Sequence, residues 1–472
     1  MSHRASLLGR GYQDQHLDSP RVRFRRALLL CLMTVIVPGA GHIAVGRKIV
    51  GWFAVTLWLV ALGGGGYLLW RYSTDRATVI GWFTDADVLL AARAGLVTVA
   101  VLWGVLFLDA WRLASPFRLN FVRAAFITVL NLAIIGGVAG STAYAARAIN
   151  EGDDALGEVF AQKPEPQAKV EPLKGRFNIL LVGSDARADR TGIRPDSLTV
   201  ASVDADTGKV VLVSLPRNLQ NVPFSEGSPM LQLYPNGYNC GPTCLLNAVH
   251  TAAQDRTDLY PDSKDPGLDA TIDAVEGATD LKINYYVMVN LNGFKGLVDA
   301  MGGVQMDVKT RIAMFGKDDA YKQTYIEIGD QKLDGQQALW YARSRVQSDD
   351  YTRMGRQKCL MAAMADQLSP SKVVVNAVDI AQSGKELLST SIPRSELGRF
   401  ADLALKSRGT KIRTVSIVPP DFNTVTPDYV AIHAAIQKAI DKSEGVKKPT
   451  DGATKDPTGR KANNSDDLSA DC

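Results

Sequence analysis

The chain has 472 residues, 46% of them apolar and 22% charged, with a formal net charge of +4. That length leaves room for more than one domain. So mild a balance excludes a polyanion such as nucleic acid as a partner demanded by the molecule as a whole, and a ligand has to be sought in local clusters.

Residues 1–26 form a basic N-terminus, and residues 27–146 are mostly apolar. Stretches near 49–70, 88–108 and 124–146 are each long enough, as helices, to cross a hydrocarbon core. A fourth stretch, 27–46, is interrupted by "PGAGH" and is expected to be re-entrant or interfacial. With three spans, Arg21, Arg23, Arg25, Arg26, Arg47 and Lys48 share a side with Arg112, Arg118 and Arg123, while Arg71 and Arg76 on the far side are offset by Asp75, Asp85 and Asp87. The positive-inside rule then predicts a multi-pass membrane protein with a cytoplasmic N-terminus and an extracytoplasmic C-terminal domain. That placement excludes nucleic acid and cytosolic ATP as partners and permits disulfides. Cys240 and Cys244, in "YNCGPTCLLNAV", have the wrong spacing for a C-x-x-C redox pair and lack the second pair of a zinc site. A structural disulfide is expected, with Cys359 as an alternative partner for either. Cys31 and Cys472 are given no role.

Residues 147–176 are charged and proline-bearing and read as an extended linker, and 443–472 are polar enough to be disordered. Between them, 177–442 alternates strand and helix signals. Strands are expected over 177–185, 197–204, 209–216, 284–290, 304–310 and in "KIRTVSIVPP". Helices are expected over 244–256, capped by Thr243, over 268–280, over 291–303 and over 334–342. The fold class that follows is α/β, a mixed central sheet between helices, preceded by a helical transmembrane anchor.

Short connections make the first three strands an up-down-up meander. The exit of the first, the entry of the second and the exit of the third then share one edge, where Asp185, Asp196 and Arg217 fall, with Arg187, Arg190 and Arg194 in the loop "SDARADRTGIRPDS". Two carboxylates there suit a hard cation whose shell substrate phosphates complete. A second cluster lies in "WYARSRVQSDDYTRMGRQ". A helix starting near Thr352 puts Arg353, Arg356 and Gln357 on one face, and the preceding helix should end before Arg343 and Arg345 so that both project the same way. Asp349 and Asp350 are too few to neutralise four guanidiniums, a group that suits bidentate phosphate binding. The strand-rich stretch "NYYVMVNLNGFKGLVDAMGGVQM" is a candidate apolar wall, although such residues are more often plain core.

The stretch "NILLVGSDARADRTGIRPDSLTVASVDADTGKVVLVSLPRN", followed by "YARSRVQSDDYTRMGRQ", resembles the LytR-CpsA-Psr family of bacterial envelope enzymes. The resemblance implies an extracytoplasmic phosphotransferase that moves a glycopolymer, such as arabinogalactan, teichoic acid or a capsule-like polymer, from a polyprenyl pyrophosphate carrier to peptidoglycan. It also implies Mg²⁺ held by Asp185 and Asp196, with Arg194, Arg217, Arg343, Arg345, Arg353 and Gln357 around the pyrophosphate. Asp185, Asp196, Arg217, Arg343 and Arg345 are thereby the catalytic candidates. Two departures stand out: Asn218 replaces an acid common in the family, and the loop after it lacks a usual basic residue. The rival functions are a polyprenyl pyrophosphate hydrolase and a non-catalytic lipid-carrier sensor or scaffold.

Overall fold

The computed structural model describes residues 20–160, 170–184, 195–315, 323–346, 348–367, 388–445 and 463–472. The chain divides into two compact units between Asp153 and Asp154.

In the first unit, helix α1 (Pro20–Ile36) stops at the "PGAG" break and a short α2 (Ala40–Ala44) follows. Gly39 turns the chain there at φ 94°, and its missing Cβ lets it lie against the backbone of Gly51. Thus 27–46 is broken as the sequence suggests. Helices α3 (Lys48–Thr74), α4 (Arg76–Thr84), α5 (Ala86–Leu113) and α6 (Phe121–Phe160) complete the unit. Three of these stretches, Lys48–Thr74, Ala86–Arg118 and Phe121–Asp154, are long and apolar enough to cross a membrane. Asp109 of α5 receives Arg47 at 2.9 Å and faces buried His42 at 3.3 Å, which ties the α2 turn to α5. The expected linker is partly wrong: residues 147–160 continue α6, because alanine, leucine and glutamate there favour helix over an extended chain.

The second unit is built on a six-stranded sheet. Its strands are β1 (Arg176–Ser184), β2 (Pro195–Asp204), β3 (Val210–Leu215), β4 (Tyr285–Asn290), a short strand at Leu388–Thr390 and another at Arg413–Ser416. Across the sheet the order is Arg413–Ser416, β3, β2, β1, β4, Leu388–Thr390. The β1–β2–β3 meander is antiparallel, whereas β4 runs parallel to β1 and Arg413–Ser416 parallel to β3. The carboxyl ends of β1, β3 and β4 and the start of β2 therefore share one edge, as the short connections predict. Two smaller ribbons pair Val304–Val308 with Gly329–Leu333 and Ile312–Phe315 with Gln323–Ile326.

Alternation along the strands builds a layer on each side. Leu180, Val182, Leu198, Val200, Val211 and Val213 bury one face against helices Val249–Ala253, α7 (Pro266–Thr279) and α8 (Tyr429–Glu444), the last contributing Ile432, Ile436 and Ile440 at helical spacing. The opposite face, with Ala201 and Leu212, lies under α9 (Leu291–Ala300), α10 (Gly335–Arg343) and α11 (Asp350–Gln367). This is the expected helix–sheet–helix arrangement.

Three local expectations fail. The segment 244–256 is not one helix: it is a 3₁₀ turn at Leu246–Ala248 and a single α turn at Val249–Ala253. Thr243 caps nothing there, since the Cys240–Cys244 disulfide and a Cys244 N–H bond to Gly241 O shape that corner. Cys240 and Cys244 thus pair as expected, but Cys359 pairs with Cys472, which the sequence left without a role. Accordingly, not all of 443–472 is free polar tail: within 463–472, Asn463, Ser465 and Leu468 are buried.

Candidate active site

The site begins where β1 and β2 part. Ser184 pairs with Pro195, so Asp196 stands at the very start of the β2 edge. Arg217 leaves β3 beside it, and its Nη1 lies 3.0 Å from Asp196 Oδ1, both side chains about a third exposed at 32%. The backbone that presents Arg217 is clamped from outside the sheet: its carbonyl accepts the Asn247 N–H at 3.1 Å, and that of Leu219 accepts the Leu246 N–H at 2.9 Å. These bonds hold the start of 244–256 against the strand exit, where the chain forms the 3₁₀ turn Leu246–Ala248. Next to Arg217, Asn218 Oδ1 is buried with no hydrogen bond among the described residues. Asp185 and Arg194, with Arg187 and Arg190, lie outside the described residues.

The second wall is the α10–α11 pair. Asp334 and Gln337 close a capping box at the start of α10, which fixes the helix phase. That helix ends at Arg343 itself, later than expected, and Ser344 is already out of helical conformation. The chain re-enters helix at Asp350, with Asp349 Oδ1 accepting the Thr352 N–H at 2.7 Å. Arg353 is buried to 3% exposure. It donates from Nη2 to Asp350 Oδ1 at 2.9 Å and reaches the backbone carbonyl of Asp196 at 3.4 Å. Burial lowers the pKa of this guanidinium while Asp350 pulls it back up, so it stays charged. The same Asp350 oxygen faces Arg345 at 3.5 Å. The Arg343 side chain has no hydrogen bond or ion pair with another described residue.

Gln357 joins the walls. Its Oε1 accepts from Ser197 Oγ at 3.3 Å and its Nε2 donates to Ala342 O at 3.1 Å. Arg356 departs from the expected grouping. It is buried and turns away, donating to Ser344 O and, at 3.1 Å, to Ser348 Oγ, so it shapes the 344–348 turn rather than a ligand surface. The helix-face argument placed it with Arg353 because three-residue spacing allows that, but the orphan carbonyl at the end of α10 competes for its guanidinium.

These pieces bound one cavity of about 1610 Å³ between the sheet and α9, α10 and α11. Asp196, Arg217, Arg343, Arg345, Arg353 and Gln357 line it, so six of the expected site residues converge. Its body is apolar, with Leu181, Val287 and Val289 from the sheet and Phe294, Leu339 and Met361 from the helices. Of the described residues that line it, Asp196 is the only carboxylate against Arg217, Lys295, Arg343, Arg345 and Arg353. A greasy compartment with so positive a lining suits a ligand that joins an anion to a long hydrocarbon.

Helical period could have extended the site further than it was read. Gln336, Leu339, Trp340 and Arg343 fall on one face of α10, and Arg353, Gln357, Leu360, Met361 and Met364 on one face of α11, all of them lining the cavity. Ser184 and Ser197 carry no such signal. Within the "NYYVMVNLNGFKGLVDAMGGVQM" stretch, Val287, Val289, Leu291, Phe294 and Leu297 do form wall.

Residues 143–445 match the model of the LytR_cpsA_psr family. The chain is 28% identical over 305 residues to the Bacillus subtilis polyisoprenyl-teichoic acid–peptidoglycan teichoic acid transferase TagV, a match covering 63% of this chain and 71% of that protein. It is 26% identical over 314 residues to the Corynebacterium glutamicum cell wall biosynthesis protein LcpA, covering 59% of this chain and 58% of the other. Superposed on the crystal structure of B. subtilis TagV, it gives a TM-score of 0.40 at 24% identity, covering 57% of this chain and 98% of that one. With the family model covering residues 143–445, from within α6 to the end of α8, this chain belongs to the LytR-CpsA-Psr family.

Proposed function

We propose that this protein transfers a glycopolymer from a polyprenyl pyrophosphate carrier to a hydroxyl of peptidoglycan, leaving a phosphodiester, at the outer face of a membrane. The observation that carries the reading is the single cavity whose apolar body ends against Asp196, Arg217, Arg343, Arg345 and Arg353. The names of the relatives, a teichoic acid transferase to peptidoglycan and a cell wall biosynthesis protein, support the reaction class.

In this reading the prenyl chain lies along Leu181, Val287, Val289, Phe294 and Leu339, and the diphosphate faces Arg343, Arg345 and Arg353. The acceptor oxygen attacks the phosphorus that bears the glycan. The bond from that phosphorus to the bridging oxygen breaks, and polyprenyl phosphate leaves with the electron pair. The hydroxyl proton passes to a carboxylate at the strand edge. Arg217, oriented by Asp196, neutralises charge that grows on the transferred phosphoryl, and the preset guanidiniums need no reorganisation as it does so.

Mg²⁺ belongs to the proposal. Asp196 Oδ2 takes no hydrogen bond from a described residue, which leaves an oxygen for a hard cation. No group of three or more acidic, histidine or cysteine side chains converges among the described residues. Asp196 and Asp185, which follow the paired residues Pro195 and Ser184, would hold the ion, with substrate oxygens and water filling its shell. Bound there, Mg²⁺ would supply further neutralisation of phosphate charge.

An extracytoplasmic, multi-pass placement is part of the same reading. All four cysteines of the second unit are paired, which supports an oxidising compartment around that unit. The test is purified full-length protein in detergent with a lipid-linked glycopolymer and peptidoglycan. Polymer joined to peptidoglycan supports transfer, and free phosphorylated polymer with no joined product overturns it in favour of hydrolysis.

A further inference from the structure

Segment Asn463–Cys472 lies along the edge strand Arg413–Ser416 and is fastened to it at both ends. The Thr414 N–H donates to Ser465 O at 2.9 Å, the Leu468 N–H to Ile412 O at 2.9 Å, and the Ser416 N–H to Asn464 Oδ1 at 2.8 Å. From there the segment reaches α11 at three points. Asn463, 3% exposed, donates from Nδ2 to Tyr351 O at 2.9 Å and accepts from Lys358 Nζ at 2.6 Å. Cys472 closes a disulfide with Cys359.

Each point is within two residues of a site side chain on α11. Tyr351 lies two residues before Arg353, and Lys358 and Cys359 follow Gln357. Lys358 is wholly buried and has no carboxylate partner among the described residues; its remaining bond goes to Ser416 Oγ. It lines a small polar gap behind the site together with Asp196, Thr199, Arg217, Arg353 and Gln357. A buried amino group with no carboxylate beside it is costly to leave without partners, and Asn463 and Ser416 satisfy it here. Meanwhile the Arg353 contacts to Asp196 O, at 3.4 Å, are at the long end of hydrogen bonding, so a slight retreat of α11 would break them.

We propose that Asn463–Cys472 is a positioning strap: through Asn463 on Lys358 and Cys472 on Cys359 it holds α11 at the depth where Arg353 and Gln357 present their donors to a diphosphate. This rests on the reading above that the cavity binds a polyprenyl pyrophosphate. None of the strap residues lines the large cavity, so they act through α11 and are not catalytic.

The test uses full-length protein in mixed micelles and two probes, a polyprenyl pyrophosphate and the polyprenol lacking the diphosphate. Asn463→Ala and Cys472→Ser are expected to weaken pyrophosphate binding about tenfold, the order of one buried hydrogen bond, and to leave polyprenol binding unchanged. Asn463→Asp, which still accepts from Lys358 but no longer donates to Tyr351 O, is expected to recover part of the loss. If Cys472→Ser fails to fold, Asn463→Ala carries the test with the disulfide intact. Equal weakening of both probes means general loosening and overturns the strap, as does unaltered pyrophosphate binding in Asn463→Ala. Arg343→Ala separates the two levels: if it loses the pyrophosphate probe while the strap variants keep it, the strap alone fails. If Arg343→Ala binds like the wild type, the reading of the cavity fails and the strap with it.

Discussion

The guanidinium of Arg353 lies 3.4 Å from the backbone carbonyl of Asp196, across 157 positions of sequence. That contact joins the meander edge to the arginine-rich helix. Arg353→Ala leaves Asp350 with only the distant Arg345 and empties the junction. Loss of a preset donor to a growing anion commonly costs about 100- to 1,000-fold in rate. A fall of that size in transfer is expected, together with a lower melting temperature, because half-buried Asp350 loses its nearer cation and the buried space of the guanidinium is left empty. Arg353→Lys is expected to restore the melting temperature more than the rate, since a point charge cannot span both partners. Steady-state transfer and thermal melts of both variants check this.

Asp196→Asn keeps shape and removes charge. Transfer is expected to fall at least about 100-fold in kcat, the usual contribution of a general base or a metal-holding carboxylate. Donor affinity should fall far less than kcat, because Arg343, Arg345 and Arg353 still face the diphosphate. A proportionate loss of donor binding would assign Asp196 to ground-state recognition instead.

Leu339→Asp places a charge in the apolar body of the cavity. Its effect is expected to depend on the lipid: KM for a long-chain donor rises about tenfold or more, while a donor truncated to a short prenyl group is little affected. Equal effects on both donors would place the prenyl chain elsewhere.

Lys358 makes stability depend on pH. Burial pushes its pKa down from the usual lysine value of 10.5 to about 7. Between those values the unfolded chain binds the proton more tightly than the folded one, so stability rises as pH increases through that window. Below about pH 7 both states are protonated and the full cost of burying the charge is present. Melts of wild type and Lys358→Met from pH 7 to pH 10 should show a rise of several degrees in the wild type and a flatter profile in the variant. Parallel profiles would show that Lys358 does not titrate in this range.

Local pattern alone determined a good deal of this protein. Uninterrupted apolar length identifies the three membrane-length helices, "PGAG" identifies the break, and short turns between β-branched runs dictate the antiparallel meander that puts Asp196 beside Arg217. These features arise between near neighbours in sequence, where period and turn chemistry act. Arg353 and Gln357 were legible for the same reason, because helical spacing alone puts them on one face.

Tertiary structure decided what depends on competition among distant partners. Arg356 shares the spacing of its neighbours yet turns to Ser344 O, an orphan acceptor that exists only once α10 has ended. Cys359 takes Cys472 across 113 positions, and Asn463 from a polar stretch is buried on Lys358, because an unpaired sheet edge and a desolvated ammonium both needed covering. No composition or period encodes such needs: they arise when packing removes water from groups that must then find another partner.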